Sequence, residues 1–345
     1  MSPLLKLSLS PAVWLLGCAA AHAACPPPVQ VANATSTRYI PRDAPIGSLI
    51  ADGTINYDGT REHICRNYPV SAQMLVGPRV PAMTVARSGS AATTDIGLHL
   101  YRTALEGVSL AAIKSDGRHC DASGQDLPKS QLYFPFNANS CSNRYETRVY
   151  YYLYKTGDIP PGAHTLNQPG LQVLFNGAVQ SSLTLNQTII VAGCSMPSAS
   201  NNRIDVQMPP TYVGDFNADR SPGPATSFQI PLDSCVRGAY STYYPWNYFQ
   251  GNYANIRLEP SRGSTILDAQ AGIIGLRPES TATGIGVQVL KQDMTAMRLG
   301  EEVPVKHVED GITILPFNAR YVQVGDTPPS GGTADATVNF TLTFK

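Results

Sequence analysis

From Ala334 to Phe344 the small and apolar side chains fall on every second position: Ala334, Ala336, Val338, Phe340, Leu342 and Phe344. A repeat of two is that of a strand with one buried face, and it does not fit a helix. Asp335, Thr337, Asn339, Thr341 and Thr343 take the other face, and no turn signal follows to bring back a partner. Whatever pairs with this strand is expected to come from far away in sequence or from another molecule.

The rest of the chain repeats the theme. Short runs such as Ile96–Tyr101, Arg148–Lys155, Leu171–Phe175, Ser182–Val191, Arg203–Met208, Thr226–Leu232, Asn255–Glu259, Gly284–Leu290, Ile312–Leu315 and Ala319–Val324 alternate with turn clusters. Those clusters include Pro160-Pro161-Gly162, Asn176-Gly177 and Pro222-Gly223-Pro224. With 29 Gly, 28 Pro and only 14% charged residues, the composition suits short strands and many turns. Leu100–Lys114 is the best helix candidate. A length of 345 residues accommodates two cores, so two packed β-sandwiches are expected, in an all-β chain divided near Val191-Ala192-Gly193-Cys194. The formal charge is zero, which lacks the electrostatic footprint of a nucleic-acid binder.

The N-terminus carries one Lys, an apolar run from Leu7 to Ala20 and the small-residue site Ala21-His22-Ala23. That is the pattern of a secretory signal over residues 1–23, with a mature chain from Ala24. The alternatives are lipoprotein processing at Cys18 and a membrane helix, for which the run is shorter than the ~20 residues a span needs. Beyond the signal lie six cysteines, Cys25, Cys65, Cys120, Cys141, Cys194 and Cys235. An even number in an exported chain points to disulfides, and among roughly fifteen connectivities the sequential one keeps each bridge local: Cys25–Cys65, Cys120–Cys141 and Cys194–Cys235. No close cysteine pair suggests a metal. Asp215-x-Asn217-x-Asp219-x-Ser221 has the spacing of a calcium loop, but Arg220 stands where glycine is needed and Thr226 where a bidentate Glu is needed. No metal or cofactor is expected, and neither H-E-x-x-H, G-x-S-x-G nor a phosphate loop is present to suggest an enzyme.

Counted back from Lys345, Phe344, Leu342, Phe340 and Val338 stand with Gly332 as a penultimate aromatic, three alternating apolar residues and a glycine. Gly193-Cys194, Arg203-Ile204-Asp205-Val206-Gln207-Met208, Phe228-Gln229-Ile230-Pro231-Leu232 and Gly284-Ile285-Gly286-Val287-Gln288-Val289 accompany them. Residues 193–345 thereby resemble the pilin domain of subunits assembled by the periplasmic chaperone–usher pathway. The resemblance implies an incomplete immunoglobulin-like sandwich lacking its last strand, which a periplasmic chaperone and then an adjacent subunit supply, with an outer-membrane usher as a further partner. Gly332, Val338, Phe340, Leu342 and Phe344 would form the assembly strand. No alternating donor segment precedes Cys25, and a domain over residues 24–192 is added, as in two-domain tip adhesins. In that group a Cys close to the mature N-terminus pairs with one about forty residues on, as Cys25 and Cys65 would.

The resemblance implies a lectin-like receptor-binding domain over residues 24–192 and a pilin domain over residues 193–345, exported through the periplasm to the fimbrium tip. Its partner would be a host glycan or matrix receptor. The pocket is expected at the end of the first domain farthest from the linker, near the loops after Cys65 and after Arg148–Lys155. Candidate ligand contacts are Arg66, Asn67, Tyr68, Thr156 and Asp158. Tyr150, Tyr152 and Tyr154 share one strand face, either a binding platform or a core face. Tyr240–Tyr253 is a second aromatic cluster. The alternative from another class is a structural fimbrial subunit or assembly initiator with no receptor.

Overall fold

The computed structural model describes residues 30–58, 69–86, 93–94, 99–114, 119–120, 123, 125, 134–140, 146–197, 202–239, 251–326 and 328–345. Twelve strands make up the first half of the chain: β1 (Gln30–Pro41), β2 (Leu49–Asp58), β3 (Pro69–Met74), β4 (Val85–Ala86), β5 (Thr93–Thr94), β6 (Tyr101–Arg102), β7 (Val108–Lys114), β8 (His119–Cys120), β9 (Phe136–Ser140), β10 (Glu146–Lys155), β11 (Gly162–Phe175) and β12 (Ala178–Ala192). They form a six-stranded sheet in the order β1-β12-β11-β3-β9-β8 and a four-stranded sheet in the order β2-β10-β7-β6, with β4 and β5 paired apart. Ile40, Ile55, Val70, Leu110, Val149, Leu153, Leu171, Leu183 and Leu185 come from both larger sheets into one core. These strands alternate because each contributes every second side chain to that core.

β1 lies parallel to β12 over twelve residues, from Gln30 opposite Ser181 to Pro41 opposite Ala192. All other strand pairs among the described residues are antiparallel. Both β1 and β12 therefore end where the chain enters its second half, and β1 is an edge strand.

The second half holds β13 (Thr226–Cys235), β14 (Tyr253–Pro260), β15 (Ile266–Asp268), β16 (Ile273–Gly275), β17 (Ile285–Lys291), β18 (Glu302–His307), β19 (Gly311–Gln323) and β20 (Val338–Phe344). A five-stranded sheet runs β13-β19-β17-β16-β15, and a three-stranded sheet runs β18-β14-β20. Ile230, Leu232, Ile256, Leu258, Val289, Leu315, Phe317 and Phe344 join the two in a separate core. Cys194 and Cys235 are buried in it and disulfide-bonded. The chain is thus all-β with sandwich packing, its only helix among the described residues a single 3-10 turn at Val213–Asp215.

Three local expectations are corrected. Leu100–Lys114 is not helical: it is the β6–β7 hairpin, in which Leu110 and Ala112 enter the main core while Ala111 faces a smaller one. A strand covered on both faces carries a nearly continuous apolar run, which imitates a helical pattern. Gly107, at φ +75°, makes the turn, and a Cβ there would lie 2.4 Å from the Asp158 carbonyl oxygen. Arg203–Met208 is not a strand, although Ile204, Val206 and Met208 still alternate half-buried with exposed neighbours. The segment has the pleat without a neighbour to hydrogen-bond. Ile312–Leu315 and all of Ala319–Val324 but its last residue belong to one strand, β19, which runs through Pro316 and ends at Gln323.

Candidate functional site

β20 pairs with β14 on one side, from Phe344 opposite Ala254 to Val338 opposite Pro260, and is the edge of its sheet. The pairing alternates. Lys345 exchanges both backbone hydrogen bonds with Tyr253, and the Ser261 amide donates to the Thr337 carbonyl. In an antiparallel ladder the intervening residues turn their N–H and C=O groups the other way. Those residues are Val338, Phe340, Leu342 and Phe344, and their side chains also face the core. One set of four residues thus turns its apolar side chains to the core and its backbone groups away from β14.

The four are not equivalent. Phe344 is fully buried, while Val338, Phe340 and Leu342 are only half-buried against the same core. Ile204, from the extended segment 203–208, packs on that core as well. At Phe344 the open side of the strand is closed by the first half of the chain. The Asp43 amide donates to the Phe344 carbonyl (3.0 Å), and the Phe344 amide donates to Asp43 Oδ2 (2.8 Å). The Arg42 guanidinium lies 4.5 Å above the Phe344 ring and donates to the Cys194 carbonyl (3.0 Å). From Leu342 back to Val338 the outward backbone groups have no partner among the described residues.

Gly332 sits at φ +156°, where a Cβ would lie 2.5 Å from the Ala282 nitrogen. Its close approach lets Thr333 and Asp335 bond residues 277–282 and so aims the chain into β20. All five residues expected in the assembly strand therefore lie along one continuous segment.

Of the residues expected at a receptor pocket, Thr156 and Asp158 lie among the described residues. Arg66, Asn67 and Tyr68 lie outside the described residues, as do residues 1–23, Cys25, Cys65, Cys141 and positions 240–250 of the aromatic segment. Thr156 and Asp158 are at the end of the first sandwich where the chain passes to its second half, not at the far end. Lys155, just before them, donates from Nζ to the carbonyls of Arg42 (3.1 Å) and Ala44 (2.7 Å). Strand direction is the reason: β10 starts opposite Asp58 and runs towards Leu49 and the junction. Thr156 Oγ1 is 2.8 Å from Ser109 Oγ, and the Asp158 carboxylate acts on the buried Lys155 ammonium. Burial pushes that ammonium below the usual lysine value, and Asp158 and Asp43 pull it back up.

Tyr150, Tyr152 and Tyr154 do share a face. Tyr154 is fully buried and Tyr152 stacks on it with centroids 6.1 Å apart, both in the small core with Leu49, Val80 and Leu100. Tyr151 faces the other way, into the main core, and alternation alone gives no sign of a role for it. In the calcium-like segment, Asp219 accepts the Gly325 amide (2.7 Å), and Arg220 pairs with Asp219 and Asp268.

Residues 183–345 match the family model for fimbrial proteins. A type-1 fimbrial protein subunit of Serratia marcescens is 22% identical over 189 residues, covering 51% of this chain and 97% of that protein. Among solved structures, the CupB6 tip adhesin of Pseudomonas aeruginosa superposes with a TM-score of 0.37 at 15% identity, over 88% of this chain and 89% of its own. The receptor-binding domain of the adhesin MrkD1P of Klebsiella pneumoniae gives 0.33 at 16% identity, over 49% of this chain and 94% of its own. The match to the family model for fimbrial proteins runs from inside β12 through β20, and so takes in the sheet edge described above.

Proposed function

We propose that the chain is a fimbrial tip adhesin, with a receptor-binding domain over residues 24–192 and a pilin domain over residues 193–345 that is completed by a strand from another molecule. The open edge of β20 carries this reading. Val338, Phe340 and Leu342 offer half-buried side chains and outward backbone groups on the same segment, which a donated strand satisfies together. Each donor residue that becomes fully buried contributes roughly 1.5–3 kcal/mol. Several in register bring the free energy of association into the range of folding itself. A periplasmic chaperone would cover the edge first, an outer-membrane usher would direct the exchange, and the adjacent fimbrial subunit would take its place at the cell surface.

The receptor role rests on the second core. The cluster over Ile40–Val191 is separate from the one that holds β20, so the first half has its own framework for contacts that assembly does not use. Arg66, Asn67 and Tyr68 remain the candidates for those contacts, since they precede β3, whose first residue Pro69 pairs with Asn139 far from the Ala192 end.

The full chain extended by a linked, alternating apolar strand is expected to stay monomeric, while the chain without it aggregates. Monomeric, cooperatively unfolding protein without the added strand would overturn the assembly reading. Immobilised on an array of glycans and matrix proteins, the strand-complemented chain is expected to retain specific partners. Failure to bind any, with fibres lost on deletion of the gene, would favour the structural subunit.

A further inference from the structure

The inner face of β1 is built from small residues. Ala32, Ala34 and Ser36 alternate inward, and the next residue on that face is Arg38. Three small side chains cannot fill the space between the sheets, and a cleft of about 220 Å³ opens there, floored by Leu183 and Gln187 of β12 and bounded by Thr54 of β2 and Tyr151 of β10. Gln187 is buried and already fixed: its amide donates to the Ala34 carbonyl (2.8 Å), and its oxygen accepts from Ser36.

Two groups in this cleft are not fixed in that way. Arg38 Nε is buried without an acceptor, and the guanidinium has no ion-pair partner among the described residues. Tyr151 is 7% exposed, and its hydroxyl has no hydrogen-bond partner among them either. The ring lies across the strand over Gly53, its register partner, where a Cβ would come within 2.3 Å of the hydroxyl oxygen. Burial raises the Tyr151 pKa, the Arg38 charge lowers it and Asp52 raises it, which places phenol and guanidinium in one another's field. A buried donor without an acceptor costs stability, as Arg38 Nε does, and the Tyr151 hydroxyl lines the same cleft. A ligand that brought a carboxylate and hydroxyls would satisfy both.

We infer that this cleft binds one carboxylate-bearing monosaccharide unit, with Arg38 holding the carboxylate and Tyr151 a ring hydroxyl. The planar fork of arginine matches a carboxylate bidentately. The size fits a single sugar unit, since pockets that enclose larger drug-sized ligands run to ~300–1,000 Å³. Asn33, Thr35 and Thr54 also line the opening, where their alternation with inward-facing neighbours leaves mainly their backbone to it. The inference rests on the receptor-binding reading and names the class of receptor.

The test is calorimetric titration of the full strand-complemented chain with glucuronate and with N-acetylneuraminate, beside glucose and acetate. One or both acidic sugars are expected to bind with a Kd of roughly millimolar or tighter, and glucose and acetate each at least about tenfold more weakly. Arg38→Gln is expected to weaken the acidic sugar about tenfold or more, without lowering the Tm. Tyr151→Phe, which removes one oxygen only, is expected to weaken it by a smaller factor, and it stands in if Arg38→Gln fails to fold. Absence of binding by both acidic sugars, equal binding of glucose or acetate, or indifference to both substitutions would overturn the inference. Adhesion of the full chain to cells that persists unchanged in Arg38→Gln would remove the cleft while leaving the receptor reading intact. Adhesion lost altogether in the unaltered chain would remove that reading.

Discussion

Single atoms decide two of the positions on which β20 depends. Gly332 holds a positive φ with its Cα against the backbone of residues 281–282, so any Cβ displaces that backbone. Gly332→Ala is expected to destabilise the chain by about 1–3 kcal/mol, read as a lower urea midpoint, with faster amide exchange at Thr333 and Asp335. Lys155 is the other position. Its folded pKa lies below its ordinary value because it is buried, so in the fold it loses its proton before it does so in the unfolded chain. The unfolded state then binds more protons, and stability rises with pH from the folded pKa up to the unfolded one. As the pH rises towards the ordinary lysine value, the unaltered chain is expected to gain stability relative to Lys155→Met, measured by paired urea titrations. A flat difference would show that the ammonium is solvated.

At the scale of elements, β20 combines a covered end with an open stretch, and substitutions along it should separate the two roles. Phe344 is fully buried, whereas Leu342 is half-buried on the open stretch of the edge. Leu342→Ser is therefore expected to cost less than about 1 kcal/mol in the uncomplemented chain and to weaken a bound donor peptide at least tenfold. Fluorescence titration with a labelled alternating peptide measures this directly. Equal loss in both settings would mean that the residue is core and not interface. Much of this element is legible in the sequence, because period-two alternation with a glycine before it needs no tertiary information. The Arg203–Met208 segment shows the limit: it alternates in the same way but has no ladder, since alternation reports which side faces a core and says nothing about whether a partner is present.

Among the described residues, the two large cores, one in each half of the chain, meet at the Arg42–Asp43 turn. The Arg42 and Asp43 turn contacts Cys194 and Phe344, Lys155 holds that turn from behind, and the Arg42 amide donates to the Ala192 carbonyl. Calorimetry of the full chain is expected to resolve two unfolding transitions. The Cys194–Cys235 bridge closes a separation of 41 residues within the second core. Replacing both cysteines by Ser is expected to lower one transition by about 3–4 kcal/mol and to leave the other in place. A single transition shifted as a whole would mean that the junction couples the cores more strongly than its contacts suggest.

The sequence by itself determined the all-β class, the alternation that makes β20 a strand, and the glycine that aims it, because these follow from side-chain period and local backbone geometry. Only the tertiary structure decided which edge β20 leaves open and that Asp43 closes it at Phe344 alone. It also decided that β1 lies parallel to β12 beside a cleft holding Arg38 and Tyr151, and that Thr156 and Asp158 stand at the junction. The physical reason is distance along the chain. Asp43 and Phe344 are about three hundred residues apart, Ser36 and Gln187 about one hundred and fifty, and no local pattern encodes which distant strands will be neighbours.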